Sequence, residues 1–238
     1  MPMKKRICFI LCCLYALLLL AGCETPAQKR KRLEHEAQVA QYRANKMTMY
    51  AAENEQYADY EVDVAFLGDS LTDLYDLQSH YPQFLVANRG IGGDTSLDLE
   101  GRLETSLYEL KPKVAVMLIG GNNPKTMLEN YEAILRGFRD NVPDTRIILL
   151  SMTSMSGDWG VHNDEAERNN LQIQKLAKEY GFAFVDLYYP LQDPQTGEIR
   201  PEYTVDGGHL TEAGYDVLTA LITPVIEEQL ELWHQEHP

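Results

Sequence analysis

Five short apolar runs, separated by helical patterns, constrain this chain more than any other feature. They occupy residues 62–67, 84–88, 114–119, 146–150 and 182–186. Their near-continuous apolar character is that of strands covered on both faces in a parallel sheet. Met127, Leu128, Tyr131, Ile134, Leu135 and Phe138 recur at helical spacing, as do Val217, Leu218, Leu221, Ile222, Val225 and Ile226. Strands alternating with amphipathic helices predict a three-layer α/β/α sandwich around a parallel five-stranded sheet. In such sheets ligands bind beyond the carboxyl ends of the strands. The segments that follow each run are therefore where chemistry is expected.

The chain before residue 61 has a different composition. Residues 1–22 carry Lys4, Lys5 and Arg6 but no acid, and about fifteen apolar or small residues follow from Ile7. A basic start, a short apolar stretch and a small-residue end describe an export leader; a membrane span needs about 20 apolar residues. The leader closes on Leu20-Ala21-Gly22-Cys23, which resembles the lipobox of bacterial lipoproteins. That resemblance implies lipid on Cys23 and a mature chain held outside the cell by its membrane anchor. Two or more acyl chains, at about 0.8 kcal/mol per buried CH₂, make a stable anchor. The other cysteines, Cys8, Cys12 and Cys13, all fall in the leader, leaving the exported domain without disulfides or thiol chemistry.

Residues 23–60 are expected to form a lipid-anchored stalk and helix. The first part, 24–31, is polar and basic and expected to be disordered. Residues 33–57 are rich in helix formers and read either as a spacer or as a helix packed on the domain. The domain itself is expected at 61–238. Loss of the leader leaves 18 basic against 36 acidic residues, a formal charge of −18. That excess repels nucleic acid and gives the domain little attraction to anionic lipid.

Four polar or glycine-rich segments follow the predicted strands: Gly68-Asp69-Ser70-Leu71, Arg89-Gly90-Ile91-Gly92-Gly93-Asp94-Thr95, Gly120-Gly121-Asn122-Asn123 and Asp206-Gly207-Gly208-His209. Each alone reads as a turn. The second lacks the spacing of a dinucleotide loop and the lysine of a P-loop. Together they hold what acyl transfer requires: a nucleophile, a base, a group to orient the base, and donors for an oxyanion. Ser70 supplies a hydroxyl at a helix start, and His209 an imidazole, the side chain that titrates near neutrality. Asp206, in a loop loosened by two glycines, can fold back onto that ring. Asn122 offers a side-chain N–H, and a glycine of the second loop offers a backbone N–H. The other histidines fit less well. His35, His234 and His237 lie in the stalk or the last residues, while His80 and His162 have no acid obviously spaced to orient them.

These four segments, in this order, resemble the blocks of the SGNH hydrolase superfamily, also called GDSL esterases and lipases. The resemblance implies Ser70 as nucleophile, His209 as base and Asp206 as its partner. It implies an oxyanion hole from the Ser70 N–H, the Gly93 N–H and the Asn122 side chain, with Gly92 as the alternative glycine. It further implies a flavodoxin-like fold. The Gly-x-Ser-x-Gly elbow of α/β-hydrolases is absent. Asp69 and Asp94 read as turn or N-cap residues. Trp159 reads either as a platform for a sugar or acyl group or as a core anchor. No dedicated metal site or cofactor is expected; His162, Asp164 and Glu165 lack a ligand pattern. The expected activity is hydrolysis of acetyl or other short acyl esters of carbohydrates at the cell surface. The alternatives are an O-acyltransferase, a lysophospholipase or thioesterase of the same fold, and a surface binding protein without catalysis.

Overall fold

The computed structural model describes residues 25–238. The leader, Cys23 and its lipid site lie outside the described residues. The chain divides into two units, Met1–Asn45 and Lys46–Pro238. The long helix α1 (Pro26–Asn54) begins far earlier than the basic composition of 24–31 suggested. The reason is local. Thr25 and Gln28 form a reciprocal cap, with Thr25 N donating to Gln28 Oε1 (2.9 Å) and Gln28 N to Thr25 Oγ1 (3.2 Å). Pro26 follows at the first helical position, where its missing N–H costs nothing. In the first unit, exposed pairs such as Arg32–Glu36 (2.8 Å) decorate the helix surface.

In the second unit the strands are β1 (Val64–Gly68), β2 (Val86–Gly90), β3 (Val114–Leu118), β4 (Arg146–Leu150) and β5 (Ala183–Val185). All pair in parallel in the order β2-β1-β3-β4-β5. The expected five-stranded α/β/α sandwich is therefore the fold observed, with the flavodoxin-like strand order. Val64 of β1 stands in register with both Val86 and Val114. Side chains of β3 alternate: Ala115 and Met117 enter one buried cluster, Val114, Val116 and Leu118 the other. Both faces are apolar because both are covered.

One face packs against α5 (Leu128–Asn141) through Tyr131, Ile134, Leu135 and Phe138, and against α6 (Asn163–Tyr180) through Ala166, Ile173 and Ala177. The other packs against α8 (Glu212–Glu236) through Leu218, Ile222, Ile226 and Leu230. Truncating such fully buried Leu or Ile side chains costs about 2–5 kcal/mol each. Short helices α2 (Ser70–Asp73), α3 (Leu77–His80), α4 (Ser96–Glu100) and α7 (Tyr188–Leu191) complete the connections. No helix among the described residues is long and apolar enough to cross a membrane.

The compact unit begins at Lys46 rather than at 61. Tyr50 is fully buried, and Arg89, also fully buried, stacks on its ring with the guanidinium 4.7 Å from the centroid. Glu53 pairs with Arg89 and neutralises it. A buried cation needs such partners, and α1 supplies them. Of the two readings of residues 33–57, packing on the domain holds for the end of this helix.

Candidate active site

The site is built from loops at the carboxyl ends of the strands. β1 ends on Gly68, where any Cβ would lie 2.2 Å from Thr72 Oγ1 and 2.3 Å from the Leu118 carbonyl. Asp69 then caps α2, its Oδ1 accepting from the Leu71 N–H at 3.1 Å. Ser70 is the first residue of that helix. From the other end of the domain comes the loop before α8, closed by Thr204, whose hydroxyl donates to the His209 carbonyl (2.7 Å) and accepts from the Gly207 N–H (2.8 Å). Gly207, at φ +90°, passes so close to the loop after β4 that a Cβ would lie 2.3 Å from the Ser156 carbonyl.

These two loops bring Ser70 Oγ to 3.0 Å from His209 Nε2. The other ring nitrogen, Nδ1, lies 2.7 Å from Asp206 Oδ2. The second carboxylate oxygen accepts backbone N–H groups from His209 (2.7 Å) and Gly208 (3.0 Å). Burial pushes the Asp206 carboxyl up, but the hydrogen bonds from the His209 backbone and ring and from Gly208 outweigh it and hold the pKa at about 2. Asp206 is thus an anion whose geometry is fixed at both oxygens. With Nδ1 held as donor to it, Nε2 faces the serine as acceptor, the arrangement needed to withdraw a hydroxyl proton.

Asn122, beyond β3, lies beside Ser70 in the same cleft. One N–H of its amide donates to the Asp94 carbonyl at 3.0 Å; an amide carries two such donors. Gly92 and Gly93 separate clearly. The Gly92 N–H donates to Asp73 Oδ2 at 2.9 Å, so Gly92 is spent on the loop's own structure. Gly93 adopts φ +81° with open space where a Cβ would stand. It does not line the cleft, whereas Gly121 does.

The cleft holds about 470 Å³ of space, the open solvent at its mouth included. Leu71, Leu118, Ile119, Met152 and Met155 give it an apolar wall, and Trp159 stands over the base, its ring edge-to-face with His209 at 6.1 Å and 85°. Gly208 permits this approach, since a Cβ there would lie 2.9 Å from the indole. Trp159 also packs against the core, as the anchor reading expects. Thr153, Met152 and Met155 had no signal in the sequence beyond their position after β4.

Two aspartates hold their expected turn and cap positions and do more besides. Asp69 is an N-cap, as expected, but burial lifts its pKa to about 6; the Leu71 N–H and His209 lower it, while Asp94 adds to the rise. Asp94 caps nothing. Thr95 caps α4, and Asp94 is a buried partner of Arg102, Oδ2 to Nε 2.6 Å. Arg102 also donates to the Arg89 and Gly68 carbonyls (2.9 and 3.0 Å), pinning the ends of β1 and β2. His80, set aside in the sequence, has acids beside it after all: Glu212 Oε1 lies 3.3 Å from Nε2 and Asp216 Oδ1 3.9 Å from Nδ1. Among the described residues this is the one group of three or more acidic or imidazole side chains close enough to share a cation. The partners of His80 come from α8, far away in sequence, where local spacing carries no trace of them.

The sheet order and the serine–imidazole–carboxylate relay at its edge define a class, the serine-type SGNH hydrolases. Residues 66–217 match the model of the GDSL-like Lipase/Acylhydrolase family. The chain belongs to that family and is an ester hydrolase. A protein of Streptococcus pneumonia, provisionally described as a platelet activating factor, is similar at 27% identity and TM-score 0.74, covering 85% of this chain and 100% of that one. A GDSL-like lipase from Bacteroides thetaiotaomicron is similar at 26% identity and TM-score 0.69, over 76% and 97% of the two chains. A variant acetyl xylan esterase from Geobacillus stearothermophilus shares the fold at 24% identity and TM-score 0.56, over 71% and 95%. No curated protein matches the sequence.

Proposed function

We propose that this chain removes acetyl or other short acyl groups from carbohydrate esters, outside the cell, while anchored to the membrane by lipid on Cys23. The observation that carries the catalytic reading is the 3.0 Å approach of Ser70 Oγ to His209 Nε2 in line with Asp206. Ser70 Oγ attacks the ester carbonyl as its proton passes to His209 Nε2. The carbonyl oxygen becomes an oxyanion held by the Ser70 N–H, the Gly93 N–H and the Asn122 side chain. Gly93 is preferred over Gly92 because it is the glycine that directly precedes Asp94-Thr95. Collapse of the intermediate expels the alcohol, which takes the proton from His209. Water then attacks the acyl-serine, again giving its proton to His209, and the acid leaves as Ser70 is reprotonated.

Short acyl groups are favoured by the apolar wall of Leu118, Ile119, Met152 and Met155 beside Ser70. The strongly acidic mature chain favours an uncharged substrate over an anionic one. The fold shared with an acetyl xylan esterase is consistent with a carbohydrate ester. The leader and its terminal Cys23 support the anchored, extracytoplasmic location.

Hydrolysis of a nitrophenyl ester series, then of acetylated oligosaccharides, tests the substrate. The expected result is a kcat/KM that falls as the acyl chain lengthens and vanishes in Ser70→Ala. Preference for long chains, or activity surviving Ser70→Ala, refutes it. Cys23→Ala should move the protein from the membrane fraction to the soluble exported fraction. Unchanged membrane retention refutes the lipid anchor.

A further inference from the structure

His80, the last residue of α3, packs against the first turns of α8. Its side chain is 6% exposed, whereas Glu212 and Asp216 beside it are 77% and 69% exposed. Glu212 Oε1 lies 3.3 Å from His80 Nε2 and Asp216 Oδ1 3.9 Å from Nδ1. One ligand atom from each of the three lies within 4.8 Å of the others. Glu212 and Asp216 are one helical turn apart, so their carboxylates share a face of α8, a spacing at which like charges repel. A positive charge between them removes that cost.

The imidazole is oriented from its other side. Thr219 Oγ1, further along α8, donates to the Tyr215 carbonyl at 2.8 Å and lies 2.6 Å from the Tyr75 hydroxyl. Its one hydrogen is spent on Tyr215, so in its 3.0 Å contact with His80 Nδ1 the imidazole is the donor. The ring also packs edge-to-face on Tyr75, the centroids 5.0 Å apart at 65°. In the neutral ring the lone pair then lies on Nε2. That nitrogen is buried and makes no hydrogen bond. What faces it is a carboxylate oxygen, which has no hydrogen to give. A buried lone pair and two carboxylates turned on one point call for a cation.

We propose that His80, Glu212 and Asp216 form a binding site for a divalent cation of the zinc class. The donor set selects the class. Calcium and magnesium take oxygen ligands, whereas one imidazole nitrogen, two carboxylates and a water suit zinc. Thr219 supplies what a ligating histidine needs, an acceptor for its other ring N–H. The two carboxylates match the charge of the ion and offset the positive end of the α8 dipole, which opposes a cation there. Both are exposed, so they can close from their present spacing to the roughly 2 Å bonds that zinc requires. Bound there, the ion ties α3 to the start of α8, which follows the His209 loop. Neither Ser70 nor His209 belongs to the cluster, so the site does not depend on the catalytic reading.

Isothermal titration of the untagged, chelator-treated full chain with zinc chloride, beside its thermal midpoint, tests the site. The variants are His80→Ala, Thr219→Val, Glu212→Gln/Asp216→Asn and His209→Ala. A further pair, Glu227→Gln/Glu228→Gln, removes the same charge from exposed positions further along α8 without touching His80. The wild type should bind zinc, and zinc at about a hundred times its Kd should raise the midpoint by about 5–10 °C. His80→Ala and Glu212→Gln/Asp216→Asn should lose that binding, and Thr219→Val should weaken it about 10–100-fold. His209→Ala and Glu227→Gln/Glu228→Gln should keep it. Equal affinity in every variant means adsorption on an acidic surface and overturns the proposal. Absence of zinc binding overturns it too, leaving His80 as a protonated partner of Glu212 only. So does binding that is lost in His209→Ala and kept in His80→Ala, and so does calcium held as tightly as zinc. If His80→Ala does not fold, Glu212→Gln/Asp216→Asn decides alone, since both side chains are exposed.

Discussion

Replacing Asp69 by asparagine should stabilise the fold, and by an amount that depends on pH. Asp69 is 4% exposed, and its pKa rises from 3.8 to about 6, chiefly through burial. A carboxyl raised in this way holds its proton more tightly folded than unfolded. Its cost to stability is therefore absent below pH 3.8, grows between there and about pH 6, and is complete above. A shift of roughly two units, at about 1.4 kcal/mol each, makes that cost about 3 kcal/mol. An asparagine has nearly the same shape and keeps an oxygen to accept the Leu71 N–H. Any cost of its unpaired N–H groups does not vary with pH and cancels in the comparison. Urea unfolding of both proteins, followed by circular dichroism at pH 4 and pH 8, measures the difference. The stability gained by Asp69→Asn should be larger at pH 8 by about 3 kcal/mol. A gain independent of pH, or larger at pH 4, refutes the argument that this carboxyl is buried at the expense of its charge.

Three further outcomes follow from the site. Asn122→Ala should fold and bind ester with near-normal KM, with kcat lower by about 10²–10³ for the lost oxyanion donor; wild-type kcat would remove that role. Asp206→Asn should lower kcat by up to about 10⁴-fold, as in triads where the acid fixes the tautomer. Because Asp206 is held at about pKa 2, activity lost on acidification well above that pH does not come from Asp206, and an acid limb centred near pH 2 would point to it. Gly207→Ala should destabilise more than Gly93→Ala in urea unfolding. Both have positive φ, but the first drives a Cβ to 2.3 Å from the Ser156 carbonyl, whereas the second meets only the strain of about 1–2 kcal/mol. Equal costs would refute the clash.

The sheet could be read from the sequence because each strand announces itself locally, as a short apolar run that needs cover on both faces. The strand ends followed from the glycines and polar residues that stop those runs, which is why Ser70, Asn122 and His209 could be placed at one edge. That Asp73 accepts the Gly92 N–H could not be read from spacing, because the two residues lie in separate segments. Asp94 was legible as a turn residue but not as the partner of Arg102, which lies further along the chain. The ties of Lys46, Tyr50 and Glu53 to Asp73, Gly90 and Arg89 bridge segments far apart in the chain, and no periodicity encodes them. The early start of α1 is a different kind of miss. Thr25-Pro26-Ala27-Gln28 is a local signal, hidden by a composition that looked merely polar.

Trp159 edge-on to His209 makes the base optically visible. Indole emission is quenched by a neighbouring imidazolium more than by a neutral imidazole, so the protonation state of His209 modulates light from a residue 6.1 Å away. The chain has two tryptophans, and the second, Trp233, is stacked on His237 at 4.5 Å. With that one replaced by phenylalanine, a pH titration of intrinsic fluorescence reads the charge of His209 in the resting enzyme. Esters, inhibitors and variants can then be followed as they change that charge, with no chromogenic substrate in the cuvette.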